Sequence, residues 1–265
     1  MDWTYLLLLI LLSLAGFYAG WRYVGRMTSR WWIVIALACL GVIMAFAIFR
    51  FYPAWEYHLI PSFLGDLVLV VRWAPFLMLF FGIAAKKVTS QFLPIELAIL
   101  ALLFFSYGIL RVSWIYMGNR VDQKEFRISD ESVCVQSTGY TCAPACAVTL
   151  LKHFGIASTE KEMADLSRTG FGGTEIVPQV RAIARKAKEK GLKVDIITTD
   201  WDGLKQFPTP FIVDVKWSPG IDHVLVVFKV EADSISIADP LSGKINDWDK
   251  ERFLNDWRGS AIIIK

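Results

Sequence analysis

The sequence predicts an α+β protein in which a four-helix transmembrane region precedes a domain of helices followed by antiparallel strands. Charge is distributed unevenly: residues 1–111 contain 8 Lys and Arg and 4 Asp and Glu, whereas residues 112–265 contain 20 and 21. After Gly191 the apolar residues change from a helical period to a strand period. We therefore expect a membrane domain over 1–111, a linker over 112–131 and a second domain over 132–265.

Composition excludes several classes of protein. The chain has 265 residues, of which 55% are hydrophobic and 20% charged, and its mean hydropathy is +0.44. Disordered, collagen-like, coiled-coil and disulfide-rich miniature proteins do not have this composition. Residues 112–265 carry a net charge of −1, so we expect no nucleic-acid partner, because such partners require a basic surface.

Four apolar runs predict the membrane region, at residues 4–20, 31–49, 67–85 and 92–110. Each is close to the ~20 residues that a helix needs to cross the hydrocarbon core. Trp21, Trp31 and Trp32 lie near the ends of runs, where membrane proteins place aromatic side chains. We expect a multi-pass integral protein of a bacterial inner or cell membrane, with membrane lipid as a partner.

The loops between the runs predict a topology. The N-terminus has no Lys or Arg before the first run, which favours an anchor over a cleaved signal peptide. Five basic residues follow the first and third runs and one follows the second: Arg22, Arg26, Arg30, Lys86 and Lys87 against Arg50. Because basic loops stay in the cytoplasm, we expect both termini, and the second domain, on the periplasmic or extracellular side.

Local signals place the helices and strands of the second domain. A short strand leads to Gln136, and a helix runs from Cys142 to Phe154. Capping threonines predict two more helices, after Thr159 and after Thr174, and Gly191 ends the last of these. Apolar, β-branched runs predict strands, and Asp249 caps a short helix between the last two; the strands are 192–199, 211–217, 224–231, 234–238 and 259–264.

A cysteine at a helix start is the chemically informative feature. The helix dipole favours the thiolate of Cys142, and the thiolate is the nucleophilic form. Such a nucleophile needs a histidine base. His58 lies between two apolar runs, and His153 lies eleven residues along the same helix, roughly 16 Å away. His223 is therefore the expected base.

Two further residues complete the expected site. Asp239 ends the strand after the one that carries His223, and hairpin pairing brings it beside the imidazole. Asp222 adjoins His223 and points to the opposite face of its strand. Gln136 precedes Cys142 by six residues, so its amide and the Cys142 backbone N–H can form an oxyanion hole.

These motifs, in this order, resemble the bacteriocin-processing, double-glycine leader peptidases, a papain-like cysteine peptidase family. The resemblance covers roughly Ser132 to Lys265 and rests on the following segments: Gln136 with Cys142-x-x-Ala-Cys146, Phe154-Gly155, Gly173-Thr174, Gly191-Leu192, Asp222-His223-Val224-Leu225, Ala238-Asp239-Pro240 and Gly243. The sequence differs from the usual pattern at Thr141, where Asp is common, and at Ala143, where Gly is common.

The resemblance implies a fold, a set of roles and a function. It implies a helical subdomain packed on an antiparallel sheet, with Cys142 as nucleophile, His223 as base, Asp239 as orienting residue and Gln136 as oxyanion donor. It implies a membrane-anchored cysteine endopeptidase that cleaves a peptide or protein substrate, with a separate exporter as a further partner. The chain carries no phosphate-loop motif of the kind found in the ATP-driven exporters to which the best-known members are fused. We expect no cofactor and no metal.

Two other functions use the same residues. A Cys–His amidase or acyltransferase forms the same thioester. A non-catalytic peptide-binding domain on a membrane anchor is a third hypothesis, although it leaves Cys142 without a use. In an oxidising compartment a disulfide between Cys134 and Cys146 would leave Cys142 free, whereas a bridge between Cys134 and Cys142 would silence it.

Overall fold

A computed structural model describes residues 4–87, 93–118, 121–122 and 126–265. The chain separates into two compact units, one of Met1–Trp55 with Ile60–Tyr116 and one of Glu56–Leu59 with Met117–Lys265. The predicted first residue of the fourth apolar run, Phe92, and five residues of the predicted linker (119–120 and 123–125) lie outside the described residues.

The N-terminal part of the chain is helical. Its helices are α1 Thr4–Arg22, α2 Trp31–Phe51, α3 Pro53–Leu59, α4 Gly65–Val71, α5 Ala74–Lys87 and α6 Leu93–Gly118. Within the described ranges, three helical segments are long and apolar enough to cross a membrane: Thr4–Arg26, Trp31–Phe51 and Ile95–Ile115. Three of the four predicted runs are therefore candidate membrane spans.

The third predicted run, 67–85, is interrupted in the structure, and its crossing of the membrane as a single span stays a prediction. The run divides into α4 and α5, and the helical segments Ser62–Leu69 and Ala74–Lys87 are bent by 49° relative to each other. Arg72 lies at the break with a φ of 33°, a conformation that L-residues seldom adopt. Pro75 is the physical cause, because a proline ring clashes with the carbonyl four residues earlier in a continuous helix. The number of spans is four only if the bent pair crosses as one.

Glycine residues bring α1 and α5 into close backbone contact. A Cβ atom at Gly16 would lie 2.6 Å from the Pro75 carbonyl oxygen, and one at Gly20 would lie 2.3 Å from that of Leu79. Gly82 of α5 has the reciprocal relation, 2.2 Å from the carbonyl oxygen of Phe17. Gly16 and Gly20 are four residues apart, the spacing that lets membrane helices approach closely.

The second unit begins with a small hairpin and three helices. Strands β1 Arg127–Ile128 and β2 Cys134–Val135 pair in antiparallel fashion. Helices α7 Cys142–His153, α8 Glu160–Leu166 and α9 Ile176–Ala187 follow. Helix α7 is buried from Ala143 to Leu151 and packs against α8, α9 and the sheet.

The rest of the unit is an antiparallel sheet with two small helices. The strands are β3 Val194–Thr198, β4 Phe211–Ser218, β5 Ile221–Val230, β6 Ser234–Asp239, β7 Lys244–Asp249 and β8 Trp257–Ile264, and the helices are α10 Trp201–Leu204 and α11 Lys250–Asp256. The sheet order is β3-β8-β4-β5-β6-β7. The alternate residues Val213, Leu225 and Ile237 pack with Trp201 and Phe253 in one core. The predicted α+β class is confirmed.

Some local sequence signals in this unit predict the helix caps and strands correctly, and others do not. Thr159 and Asp249 cap their helices as predicted, accepting the backbone N–H of Glu162 and Arg252. Thr174 does not cap α9: the N-cap is Glu175, and the Thr174 hydroxyl bonds Thr169 at 2.7 Å instead. Strand β7 was not predicted, because five of its six residues are exposed and they show no apolar alternation.

Candidate active site

Cys142 stands at the exposed end of a buried helix. It is the first residue of α7 and is half-buried, whereas the nine residues after it are buried. A turn anchored by Thr141 delivers the chain to this point: its hydroxyl accepts the Thr138 N–H at 3.1 Å. Thr141 is itself fully buried, so the residue that differs from the usual family pattern holds the turn rather than facing solvent.

His223 and Asp239 lie on neighbouring strands and are hydrogen-bonded. His223 Nε2 lies 2.8 Å from Asp239 Oδ1. The register explains this: Val226 of β5 pairs with Ala238 of β6, so Asp239 lies diagonally across from His223 on the same face. Nδ1 of His223 is the ring nitrogen that remains for Cys142, and Cys142 is one of the groups that raise the pKa of the imidazole.

The surroundings of His223 favour its charged form. Burial lowers the pKa of the imidazole, but hydrogen bonds to Asp239 and Cys142 outweigh burial and raise the pKa to about 9. Burial raises the pKa of Asp239, but the hydrogen bonds from His223 and from the Leu241 N–H, at 2.9 Å, bring it below its ordinary value. Near neutral pH the pair is therefore an imidazolium and a carboxylate.

Gln136 lies in the turn that leads to Cys142. Its backbone N–H donates to the carbonyl of Pro240 at 2.9 Å, which places it next to Asp239. Its side-chain Nε2 donates to the Thr138 carbonyl at 2.8 Å. An amide nitrogen has two hydrogens, so one remains for a substrate oxygen. The predicted oxyanion donor is thus held in the turn between β2 and the start of α7.

The turn after Asp239 is packed against the strand before Gln136. Gly243 has a φ of +70°, and a Cβ there would lie 2.7 Å from Cγ2 of Val135. The Gly243 N–H donates to the Asp239 carbonyl at 2.8 Å. Only glycine adopts this conformation without cost, so one residue allows the turn to close and to fit beneath β2.

Glu160 is a site-adjacent residue that sequence reasoning missed. Its side chain is fully buried, and Oε1 accepts the Ser137 N–H at 2.8 Å. The bond ties α8 to the turn between Gln136 and Cys142. No local sequence signal marks this role, because an acidic residue in the first turn of a helix is ordinarily explained by the helix dipole alone.

Trp217 is a second neighbour that the sequence did not reveal. Its ring centroid lies 4.8 Å from that of His223, although half of the residue is exposed. Asp222 does not join the site: its carboxylate pairs with Arg258, in agreement with the expected opposite orientation. His153 packs edge-on against Phe154 and Phe228 at the far end of α7.

The cysteines other than Cys142 are buried thiols. All four cysteines of the chain are free, so the Cys134–Cys146 disulfide considered from the sequence is not formed. The Cys146 Sγ donates instead to the Val224 carbonyl at 3.2 Å, which turns it toward β5. Burial raises the pKa of Cys134 to about 12 and that of Cys146 well above its usual value. Neither is a nucleophile in this state.

No group of three His, Cys, Asp or Glu side chains that could hold a metal ion occurs in the part of the chain that the structure describes. The groups assembled around Cys142 are a thiol, an imidazole, a carboxylate and a carboxamide. This set suits nucleophilic attack on an acyl group, with a base, an orienting group and an oxyanion donor.

A helix-start cysteine facing a histidine–aspartate pair on a sheet defines a papain-like cysteine peptidase. The comparison with protein families agrees, because the sequence model of the Peptidase C39 family matches residues 130–265. The match covers the whole second unit after the linker. The chain belongs to the Peptidase C39 family, and it is a cysteine peptidase.

Individual relatives resemble the same half of the chain. An uncharacterized protein of Methanothermobacter thermautotrophicus is 28% identical over 138 residues, which are 52% of this chain and 91% of that protein. The Lactococcus lactis lactococcin-G-processing and transport ATP-binding protein LagD is 29% identical over 138 residues, but these are only 19% of its length. The crystallised peptidase domain of Streptococcus ComA is 30% identical and covers 49% of this chain and 94% of that domain, with a TM-score of 0.44.

Proposed function

We propose that the chain is a membrane-anchored endopeptidase that cleaves a peptide substrate with Cys142, His223, Asp239 and Gln136. The observation that carries this proposal is the 2.8 Å hydrogen bond between Asp239 and Nε2 of His223, which leaves the other ring nitrogen for Cys142. The roles are those of a nucleophile, a base and an orienting group.

The geometry supports a two-step reaction. Cys142, as a thiolate stabilised by the His223 imidazolium, attacks the carbonyl carbon of the scissile bond, and the oxyanion accepts hydrogen bonds from the Cys142 N–H and the Gln136 amide. His223 then gives its proton to the leaving amine, and a thioester remains on Cys142. A water molecule, deprotonated by His223, attacks the thioester and releases the acid and the free thiol.

The proposed substrate is a precursor peptide with a double-glycine leader. LagD, by its name, processes and transports lactococcin G, and its match to the present chain covers 138 residues, 51% of this chain. We propose that the exporter of the product is a separate polypeptide. The three candidate spans, with the bent pair as a fourth, would hold the peptidase at the membrane where such an exporter works.

Trapping the thioester tests the proposal. The full chain in detergent is incubated with a synthetic double-glycine leader peptide, quenched in acid and analysed by mass spectrometry, with Cys142→Ala as the control. We expect a new peptide fragment and an acyl adduct on Cys142, both absent from the control. An adduct without a cut backbone would indicate an amidase or acyltransferase, and the absence of both would contradict catalysis.

A further inference from the structure

A cavity opens beside the His223–Asp239 pair. Its volume is 330 Å³, which is in the range of small ligand pockets. Trp217 and Asp239 belong to its lining, and both contact His223, by ring packing and by the 2.8 Å hydrogen bond respectively. A peptide bound across the reacting atoms therefore lies close to the mouth of this cavity.

Strands β6 and β7 form the base of the cavity. Asn246 pairs with Ile237, which lies two residues before Asp239 on the same strand. Because side chains alternate along a strand, the amide of Asn246 shares a face with Ile237 and Asp239. Trp248, on the same face of β7, and Trp217 add aromatic surface to the lining.

Both acidic residues of the lining have their carboxylates engaged elsewhere. Asp247 lies opposite Ser236 on the neighbouring strand, and its carboxylate accepts a hydrogen bond from the Ser236 hydroxyl. The Asp247 side chain therefore faces the other side of the sheet, and its main chain lines the cavity. The carboxylate of Asp239 is held by His223. The remaining charge in the lining is the cation of Arg252.

Arg252 is placed as a binding group. Its guanidinium lies 4.0 Å from the ring centroid of Trp248, a contact that orients the group and leaves N–H donors at its edge for a ligand. Among the described residues, no carboxylate forms an ion pair with Arg252. A guanidinium with aromatic surface beside it and an amide nearby matches a carboxylate, which accepts two parallel hydrogen bonds from one arginine.

We propose that this cavity is a substrate subsite in which Arg252 binds an acidic side chain of the peptide. The inference rests on the proposed peptidase function and specifies its substrate. An extended peptide rises about 3.3 Å per residue, and the cavity lies beyond the imidazole as seen from Cys142. The acidic residue therefore occupies one fixed position relative to the scissile bond, because an extended peptide places its side chains at regular intervals.

The experiment is a cleavage profile of the full chain in detergent. The probe is an equimolar mixture of synthetic peptides that are amidated at the C-terminus, so that side chains supply the only carboxylates. Cleavage sites are identified by mass spectrometry for the wild type and for Arg252→Glu. We expect Asp and Glu to be enriched at one position, with kcat/KM for such peptides about tenfold or more lower in the variant and Lys or Arg favoured there instead.

The controls separate the subsite from a general loss of activity. Lys250→Glu makes the same charge change in the same helix, but Lys250 stacks on Trp201 and does not line the cavity, so the acidic preference should persist. Alkylation of Cys142 by iodoacetamide at the wild-type rate shows that the variant site is intact. Arg252→Gln serves as a neutral replacement if Arg252→Glu fails to fold.

The outcomes distinguish the subsite from the proposed function. Cleavage without an acidic preference, or a preference that survives Arg252→Glu, overturns the subsite and leaves the peptidase. If the wild type neither cleaves any peptide nor forms an adduct on Cys142, the peptidase proposal fails and the subsite fails with it.

Discussion

Gln136 is held so firmly that its role in the site can be tested separately from its role in the fold. Its backbone is bonded to Pro240 and its amide to Thr138, so truncating the side chain removes one donor and leaves the backbone bond. Cys146, one helical turn after Cys142, is a natural comparison because it is buried and bonded to Val224.

We expect Gln136→Ala to lower kcat by about 10²–10³, the usual effect of removing one oxyanion donor, while Cys142 remains open to alkylation. Cys146→Ala should keep most of the rate and lose some stability. Peptide cleavage kinetics with iodoacetamide labelling measures both. A fully active Gln136→Ala together with an inactive Cys146→Ala would show that the wrong cysteine and the wrong oxyanion hole had been assigned.

The raised pKa of His223 predicts a pH dependence of stability. Its folded pKa of about 9 exceeds its ordinary value of 6.5, so protonation stabilises the fold. This contribution is fully present below pH 6.5 and is lost as the pH rises through about 9. The difference in melting temperature between the wild type and His223→Ala should therefore shrink over this range. A difference that stays constant from pH 6 to pH 10 would mean that His223 is not charged in the folded state.

At the scale of elements, the turn between β6 and β7 links Asp239 to Gln136. Gly243 and Gly220 both have positive φ, +70° and +78°, but a Cβ at Gly220 would meet nothing within 4 Å whereas one at Gly243 would meet Val135. An alanine at Gly220 therefore tests backbone strain alone, whereas an alanine at Gly243 tests backbone strain together with steric contact at the site.

We expect Gly220→Ala to cost about 1–2 kcal/mol, the penalty of a left-handed L-residue, with little change in kcat. Gly243→Ala should cost about 1–3 kcal/mol more, because an extra atom is forced into a packed region, and it should also lower kcat by displacing Asp239. Urea unfolding and peptide cleavage measure the two effects. Equal losses of stability and unchanged kcat in both variants would mean that the contact with Val135 affects neither the free energy of unfolding nor catalysis.

The elements that the sequence predicts are those whose signal is local. Asp249 and Thr159 cap their helices with their own side chains, and Gly191, with a φ of +72°, follows the end of α9. Strand β7 escapes prediction because it is a solvated edge strand, paired only with β6. At Thr174 another contact replaces the predicted helix cap, because its hydroxyl is hydrogen-bonded to Thr169 rather than to the helix that it precedes.

The residues of the candidate site also divide into those that the sequence predicts and those that it does not. The cysteine, histidine and aspartate are residue types with a required chemistry, so elimination among three histidines and the strand order suffices to nominate them. Glu160 and Trp217 have no such chemistry, and their places depend on long-range packing: Glu160 contacts a residue 23 positions earlier in the chain. Nothing in their local sequence marks them, and only the assembled structure places them.

At the scale of the whole molecule, the proposed membrane anchor makes the function depend on which side of the membrane the peptidase unit would occupy. The predicted exoplasmic side requires an even number of crossings. The structure provides three candidate spans and one bent pair, Ser62–Leu69 with Ala74–Lys87. If the bent pair crosses as one span, both termini share a side; if it is re-entrant, the termini lie on opposite sides.

The loop charges favour the crossing. Lys86 and Lys87 lie at the end of α5, Arg22 is the last residue of α1, and Arg26 and Arg30 follow it. A four-span arrangement puts all five in the cytoplasm. Alkaline phosphatase fused after Lys265 should therefore be active, whereas fusions after Arg30 and after Lys87 should be inactive, with green fluorescent protein giving the reverse pattern. An inactive phosphatase after Lys265 with an active one after Lys87 would identify a re-entrant α4–α5 and a cytoplasmic peptidase.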